Sequence, residues 1–154
     1  MCYRLRSVSV EFLLVNTSAG KWTFPKGRID PLFSASESAA QEALEEAGAM
    51  GLIEPVHFAS YLDSKRTAGQ EGLAREILIA AYLLEVRRCV VPEEADRNPT
   101  WFSAEESKRR LSEKRAPKPA ILLHDVIDLA VERASRRVRP RVSEESRPGL
   151  QAER

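Results

Sequence analysis

The sequence predicts an α/β protein in which a mixed β-sheet lies between helices. Three observations support this prediction: a β-branched apolar segment at residues 8–15, a capped helix that begins near Ala35, and apolar residues at helical spacing toward residue 137. Helices and strands of this kind bury their apolar faces by stacking in layers. We expect a single domain over residues 1–137 and a charged, disordered tail over residues 138–154.

Five strands are expected, and they are placed at residues 8–15, 21–24, 55–62, 74–87 and 100–102. The continuous apolar middle of the fourth strand indicates burial on both faces, although a buried helix is an alternative for that run. Besides the helix at Ala35, a helix is expected to follow Ser103 and end near Ser112, and another to run from about Pro119 to Arg137. The polar segments 63–72 and 91–98 are expected to be loops.

Composition excludes several classes of protein. The net charge is only +1, so no overall electrostatic field favours nucleic acid or a membrane surface, and neither is an expected partner. The longest apolar run, residues 77–84, is too short to cross a bilayer, and no signal peptide is visible. Cys2 and Cys89 form no disulfide framework, which favours a reduced, cytoplasmic setting. The sequence leaves the oligomeric state open.

The helix at Ala35 carries an acidic row. Ser34 and Glu37 form a capping box at its start, and Gly48 is a plausible stop. Between them, three glutamates fall within an arc of roughly 100° on the helix surface: Glu42, Glu45 and Glu46. Like charges at this spacing repel, and a divalent cation such as Mg²⁺ would offset that repulsion. A solvated acidic helix face is the alternative.

The stretch from Gly27 to Ala49 resembles the signature of the Nudix hydrolases, G-x5-E-x7-R-E-U-x-E-E-x-G-U, where U is a bulky apolar residue. The residues that match at the family spacing are Gly27, Glu42, Glu45, Glu46 and Gly48. A preceding Pro-Lys-Gly sequence and a later Trp-Phe-Ser-Ala-Glu-Glu element, residues 101–106, are also typical of the family. The resemblance implies the Nudix α/β/α sandwich.

Four positions depart from the signature. Phe33 stands in place of the loop glutamate, Gln41 replaces the arginine, and alanines occupy the bulky apolar positions. In the family, the arginine and the loop glutamate help to position the catalytic helix, so their joint absence suggests a paired loss. Gln41 can still donate hydrogen bonds to a carboxylate, but without charge.

The resemblance implies a role for each matching residue. Glu42 and Glu46 would bind Mg²⁺, with Mn²⁺ as an alternative, and the Gly27 carbonyl would be a further ligand. Glu45 would be a ligand or the general base. Lys26 and Arg28 flank the turn and are candidates for binding phosphate, and a solvated turn is the alternative. Glu93 and Glu94 are candidates for an additional carboxylate from a later loop, and a merely exposed acidic loop is the alternative.

The resemblance implies a Mg²⁺-dependent hydrolase that cleaves a phosphoanhydride bond in a phosphorylated small molecule. The candidate substrates are nucleoside diphosphate derivatives, dinucleoside polyphosphates and diphosphoinositol polyphosphates. A basic run favours a highly phosphorylated ligand if it is not simply a solvated helix face: Lys108, Arg109, Arg110, Lys114, Arg115 and Lys118. The alternative function, motivated by Phe33 and Gln41, is a catalytically weakened module that binds a nucleotide or polyphosphate as a sensor or partner.

Overall fold

The structure, a computed structural model, describes residues 1–7, 9–66 and 74–138. Eight strands are present in this part of the chain: β1 (Cys2–Arg6), β2 (Ser9–Asn16), β3 (Trp22–Thr23), β4 (Ala49–Ile53), β5 (Ala59–Arg66), β6 (Ala74–Ala81), β7 (Leu84–Cys89) and β8 (Thr100–Ser103). The helices are α1 (Ala35–Ala47), α2 (Ala104–Ser112) and α3 (Pro117–Val138), and a 3₁₀ turn spans Ala95–Arg97. Residues 139–154 of the predicted tail lie outside the described residues.

The main sheet has six strands and is mixed, as predicted. β1 pairs in parallel with β7 and antiparallel with β2, and β4 pairs antiparallel with β7. β3 and β8 lie along successive parts of the other edge of β2, both antiparallel to it. β5 and β6 form a separate antiparallel hairpin.

The two faces of the main sheet bury different helices, because successive side chains of a strand point to opposite faces. Leu13 and Val15 of β2 pack in one apolar cluster with Ala43 and Ala47 of α1. The alternate residues of β2 pack in a larger cluster with α2 and α3, whose buried members include Leu111, Leu123, Ile127 and Ala130. This arrangement confirms the α/β/α sandwich.

The prediction of a single strand over residues 74–87 is wrong, because this segment forms parts of two strands. The chain leaves the β5–β6 hairpin at Ala81 and enters the main sheet at Leu84. The Phe58 amide donates to the Ala81 carbonyl at 2.9 Å, and the Glu54 amide donates to the Leu83 carbonyl at 2.8 Å, so this crossing is fixed by the backbone. Leu78 in β6 is 68% exposed, so the prediction of burial on both faces also fails there.

Other strand predictions were incomplete. The strand predicted at residues 55–62 begins later, at Ala59, and continues to Arg66. β1 and β4 were not predicted. Each is only five residues long, and β4 shows no alternation of polarity, although residues 3–6 of β1 do alternate. No helix in the described part of the chain is long and apolar enough to cross a membrane.

The ends of α1 agree with the sequence. The Glu37 amide donates to the Ser34 hydroxyl at 3.2 Å, and the Ser34 amide donates to the Glu37 carboxylate at 2.8 Å. Gly48 ends the helix at a φ of 64°, and its amide donates to the Leu44 carbonyl at 2.8 Å. β4 begins at the next residue, so this cap sets the position of α1 on the sheet.

We predict that Gly48→Ala destabilises the fold more than Gly20→Ala. Both glycines have a left-handed φ, which costs a residue with a Cβ about 1–2 kcal/mol. At Gly48 the new Cβ would also lie 1.9 Å from the Val90 carbonyl oxygen, whereas at Gly20 it would meet only the flexible end of Lys114. Urea denaturation should therefore show a loss above about 2 kcal/mol for Gly48→Ala and about 1 kcal/mol for Gly20→Ala. Equal losses would show that the backbone contact with Val90 is unimportant.

Candidate active site

The acidic row of α1 faces the loop that follows β3. Glu46 is only 3% exposed, and one of its carboxylate oxygens accepts a hydrogen bond from the Lys26 amide at 3.1 Å. Glu42 lies directly against Gly27, where an added Cβ would be 1.7 Å from a Glu42 oxygen. The loop and the helix therefore approach so closely that a side chain at Gly27 would displace Glu42.

Burial and mutual repulsion disfavour the charged forms of two of these carboxylates. Burial raises the pKa of Glu42, and the nearby carboxylates of Glu45 and Glu94 raise it further. Burial likewise raises the pKa of Glu46, while the Lys26 amide and Arg97 partly offset that effect. Negative charge is thus concentrated between α1 and the loop that carries Glu94.

Among the described residues, Arg97 is the cationic side chain that forms an ion pair with this cluster. It lies in the 3₁₀ turn before β8, and its guanidinium forms an ion pair with Glu46. The same guanidinium binds Glu94, with Nε and the carboxylate oxygen 2.5 Å apart. The Glu94 amide also donates to the Glu45 carbonyl at 3.0 Å, so this turn is attached to α1 at two points.

Two of the departures from the family signature, Phe33 and Gln41, line one surface. The Gln41 side chain donates to the Glu45 carboxylate at 2.7 Å, so it contacts the acidic row as a neutral group. Phe33 is 49% exposed. Both residues line a cavity of about 300 Å³ between α1 and β4.

A larger cavity of about 410 Å³ lies between the loop, α1 and the β5–β6 hairpin. Part of its wall is polar, because Lys26, Arg28 and Glu42 contribute to the lining. Most of the remaining wall is apolar or aromatic, and it includes Phe24, Ile29, Tyr61, Ile77, Ile79 and Tyr82. The cavity can therefore hold a group that is apolar or aromatic at one end and attached to an anion at the other.

The two candidate phosphate-binding cations differ in their contacts. The Lys26 ammonium is 3.0 Å from the Asp63 carboxylate and also donates to the Thr23 hydroxyl at 3.3 Å. Arg28 is exposed and lines the cavity. An incoming phosphate would therefore compete with Asp63 for Lys26, while it could approach Arg28 from solvent.

The two candidate loop carboxylates are placed differently as well. Glu94 lies close enough to affect the pKa of both Glu42 and Glu46. Glu93 is exposed, and no hydrogen bond or ion pair of its side chain is found within residues 1–7, 9–66 and 74–138. The structure thus brings Glu94, rather than Glu93, to the acidic row.

Five of the six residues of the basic run make polar contacts, and three of them lie on α2. Lys108 is 2.6 Å from Asp128, Arg109 pairs with Glu106, and Arg110 is 2.8 Å from Glu106. Lys114 and Arg115 donate to the Ala19 and Leu111 carbonyls, respectively. These contacts favour the interpretation of a solvated helix face.

The donor set suits a hard divalent cation, because carboxylates and a backbone carbonyl are the oxygen ligands that Mg²⁺ and Mn²⁺ prefer. The absence of a side chain at Gly27, which lets Glu42 lie against the loop, is consistent with such a site. However, within the described residues no three Asp, Glu, His or Cys side chains are arranged to hold an ion. Instead, the carboxylate of Glu46 forms an ion pair with the Arg97 guanidinium.

Sequence reasoning missed Arg97 and the aromatic cavity wall. Arg97 belongs to the segment predicted as a charged loop, and its i,i+3 spacing from Glu94 is the only local indication of a pair. Its contact with Glu46 joins residues 51 positions apart, and no local pattern predicts that. Tyr61 lies in β5 and Tyr82 lies between β6 and β7, and both line the cavity although they are far apart in the sequence.

The chain is similar in sequence to known proteins. The family model described as the NUDIX domain matches residues 3–125. The chain is 31% identical over 104 residues to Nudix hydrolase 16, mitochondrial, of Arabidopsis thaliana, a match that covers 64% of this chain and 56% of that protein. The chain thus spans little more than half the length of this relative.

Solved structures share the fold. An Ap4A hydrolase from C. elegans, in a binary complex, has a TM-score of 0.58 and 22% identity, with 84% of this chain and 93% of that chain covered. The NUDIX domain of Shewanella oneidensis NrtR, complexed with ADP ribose, has a TM-score of 0.58 and 18% identity, with 86% and 83% covered. At these identities the similarity establishes the fold alone.

We predict that Glu42→Gln stabilises the protein at pH 7 in buffer that contains a chelator. Folding raises the pKa of this carboxyl, so its ionisation disfavours the folded state at neutral pH and costs nothing at a pH below its unfolded pKa of about 4.3. The gain in unfolding free energy should be about 0.2–0.5 kcal/mol, as expected for like charges on one helix face, and should vanish as the pH falls toward 4. Urea titrations at several pH values measure it.

The exposed Glu105→Gln variant is the control and should show no such gain. A loss of stability for Glu42→Gln at pH 7 would mean that Glu42 makes a favourable ionic contact in the folded protein, contrary to the proposed repulsion.

Proposed function

The chain belongs to the Nudix family, because the family model matches residues 3–125, and on that premise we propose that it is a divalent-cation-dependent hydrolase of a phosphoanhydride bond. The observation that carries the proposal is the position of Glu42. It is the member of the acidic row that lies both against Gly27 and in the lining of the large cavity. A ligand in the cavity would therefore have its charged end beside the candidate metal-binding carboxylates.

In this proposal Glu42 and Glu46 hold the cation, Mg²⁺ or Mn²⁺, together with Glu45 or the Gly27 carbonyl. When bound, the cation neutralises phosphate charge and lowers the pKa of a bound water. Lys26 and Arg28 bind the phosphates at the polar part of the cavity wall, Arg28 through its forked guanidinium and Lys26 as a point charge. Their positive charge stabilises the oxygens of the leaving group.

Glu45 is the candidate general base that takes a proton from the attacking water. Its carboxylate is fixed by the Gln41 side chain through one oxygen, which leaves the other oxygen to accept a proton. Glu94 is the additional carboxylate from the loop, since it lies next to the same cluster.

The cavity wall favours a nucleoside derivative as the substrate. An aromatic base can pack against apolar and aromatic side chains such as Tyr61 and Tyr82, whereas a diphosphoinositol polyphosphate would need cations around most of its ring. The basic run offers little such charge, because five of its six members are engaged by carboxylates or backbone carbonyls. We therefore favour a nucleoside diphosphate derivative or a dinucleoside polyphosphate.

A second candidate function is a binding module with little or no turnover. It is favoured by two specific contacts: a neutral glutamine on Glu45, and an arginine on Glu46. Such a module would bind a nucleotide in the same cavity without cleaving it. The two candidates differ in turnover, not in the ligand.

We predict that hydrolysis of a panel of nucleotide sugars, dinucleoside polyphosphates and diphosphoinositol phosphates requires added Mg²⁺ or Mn²⁺. Glu46→Gln should lower kcat/KM at least about a hundredfold, because it removes a charged ligand while preserving the shape of the side chain. Release of phosphate products, measured by chromatography, tests this. The exposed Glu132→Gln variant is the matched control. Binding without turnover across the panel would favour the module instead.

We also predict that Gln41→Arg alone does not raise activity. An arginine at this position would lie by the acidic row without its loop partner, because Phe33 occupies the corresponding place on the same surface. The double variant Phe33→Glu, Gln41→Arg supplies both charges and is expected to be more active than either single variant. Steady-state rates decide between these outcomes. A clear rate gain from Gln41→Arg by itself would contradict the idea of a paired loss.

A further inference from the structure

The proposed hydrolase mechanism assigns no role to Arg97. Its guanidinium contacts the most buried carboxylate of the acidic row, Glu46, and also Glu94. It is itself largely covered, with its side chain 24% exposed. A cationic group therefore lies where the proposed function requires a metal ion.

Two different effects of this contact can be distinguished. Arg97 could hold Glu46 in the orientation that the metal needs, or it could compete with the metal for the carboxylate. The first effect is not required, because the Lys26 amide already holds the other oxygen of Glu46 at 3.1 Å and the helix backbone fixes its Cα. The remaining effect is that Arg97 competes with the metal for the Glu46 carboxylate.

Arg97 also has partners to which it can turn when it leaves Glu46. Glu94 binds its Nε, and the Asn16 carbonyl is 3.4 Å from one of its terminal nitrogens. The side-chain oxygen of Asn16 is buried and accepts no hydrogen bond from the described residues. The guanidinium could therefore release Glu46 and stay paired.

We propose that Arg97 sets the cation affinity of the site by acting as a built-in counter-ion that a divalent metal must displace from Glu46. This inference rests on the proposed function, because it presupposes that the acidic row binds the metal. The neutral Gln41 makes Arg97 the one arginine of the described residues that pairs with a glutamate of the acidic row. Metal loading is then coupled to the position of the turn that carries Arg97 and Glu94.

The test measures metal binding rather than activity. Mn²⁺ is titrated into the wild type, Arg97→Gln, Arg97→Lys and Glu46→Gln, and the free ion is followed by electron paramagnetic resonance. Arg97→Gln should bind Mn²⁺ about tenfold more tightly than the wild type, because a repelling charge is gone and Glu46 is free. Arg97→Lys should lie between the two. The exposed Arg109→Gln carries the same change of charge and should bind like the wild type.

The outcomes separate this inference from the proposed function. If Mn²⁺ binding is lost in Glu46→Gln but unchanged or weaker in Arg97→Gln, the competition idea is overturned while the metal site stands. If no variant binds Mn²⁺ at millimolar concentration, both the metal site and the competition idea fail.

A measurement on the unmodified protein covers the case in which Arg97→Gln does not fold. The resonances of the terminal Nη hydrogens of Arg97, which contact Glu46, are followed by nuclear magnetic resonance during a titration with Mg²⁺. Displacement predicts a large shift that saturates with the metal. An unchanged resonance in the metal-saturated protein would overturn the inference.

Discussion

The site depends on the hydrogen bond between the Lys26 amide and the buried carboxylate of Glu46. It joins α1 to the loop after β3, and it does so through a charged group that burial makes costly. The same carboxylate meets the Arg97 guanidinium from the turn before β8. Three segments that are far apart in the sequence are therefore held together at one acidic side chain.

That arrangement explains why charge, rather than packing, dominates this region. Glu42 and Glu46 both have a raised pKa, first because they are buried and then because carboxylates are their neighbours. A protein gains no stability from such a cluster. The cluster is reasonable if a cation neutralises it, and Arg97 does so in part. If the guanidinium could never leave Glu46, the proposed hydrolase would have no site for its metal.

The sequence predicted local features well, because they depend on residues close together in the chain. The capping box of Ser34 and Glu37, the end of α1 at Gly48 and the side-by-side glutamates all follow from spacing along one helix. The prediction from sequence failed where backbone contacts between distant residues determine the ends of strands. At Ala81, for example, the Phe58 amide fixes the end of β6. Arg97 belongs to the second kind, since its contact with Glu46 exists only in the folded chain.

A crystal structure with Mn²⁺ and a non-hydrolysable dinucleoside polyphosphate would show whether the acidic row binds a metal ion. We expect an anomalous scattering peak at the Glu42 and Glu46 carboxylates, with the Arg97 guanidinium moved away from Glu46 and a base in the large cavity. A peak elsewhere on the protein, with Arg97 still paired to Glu46 and the cavity empty, would contradict this expectation.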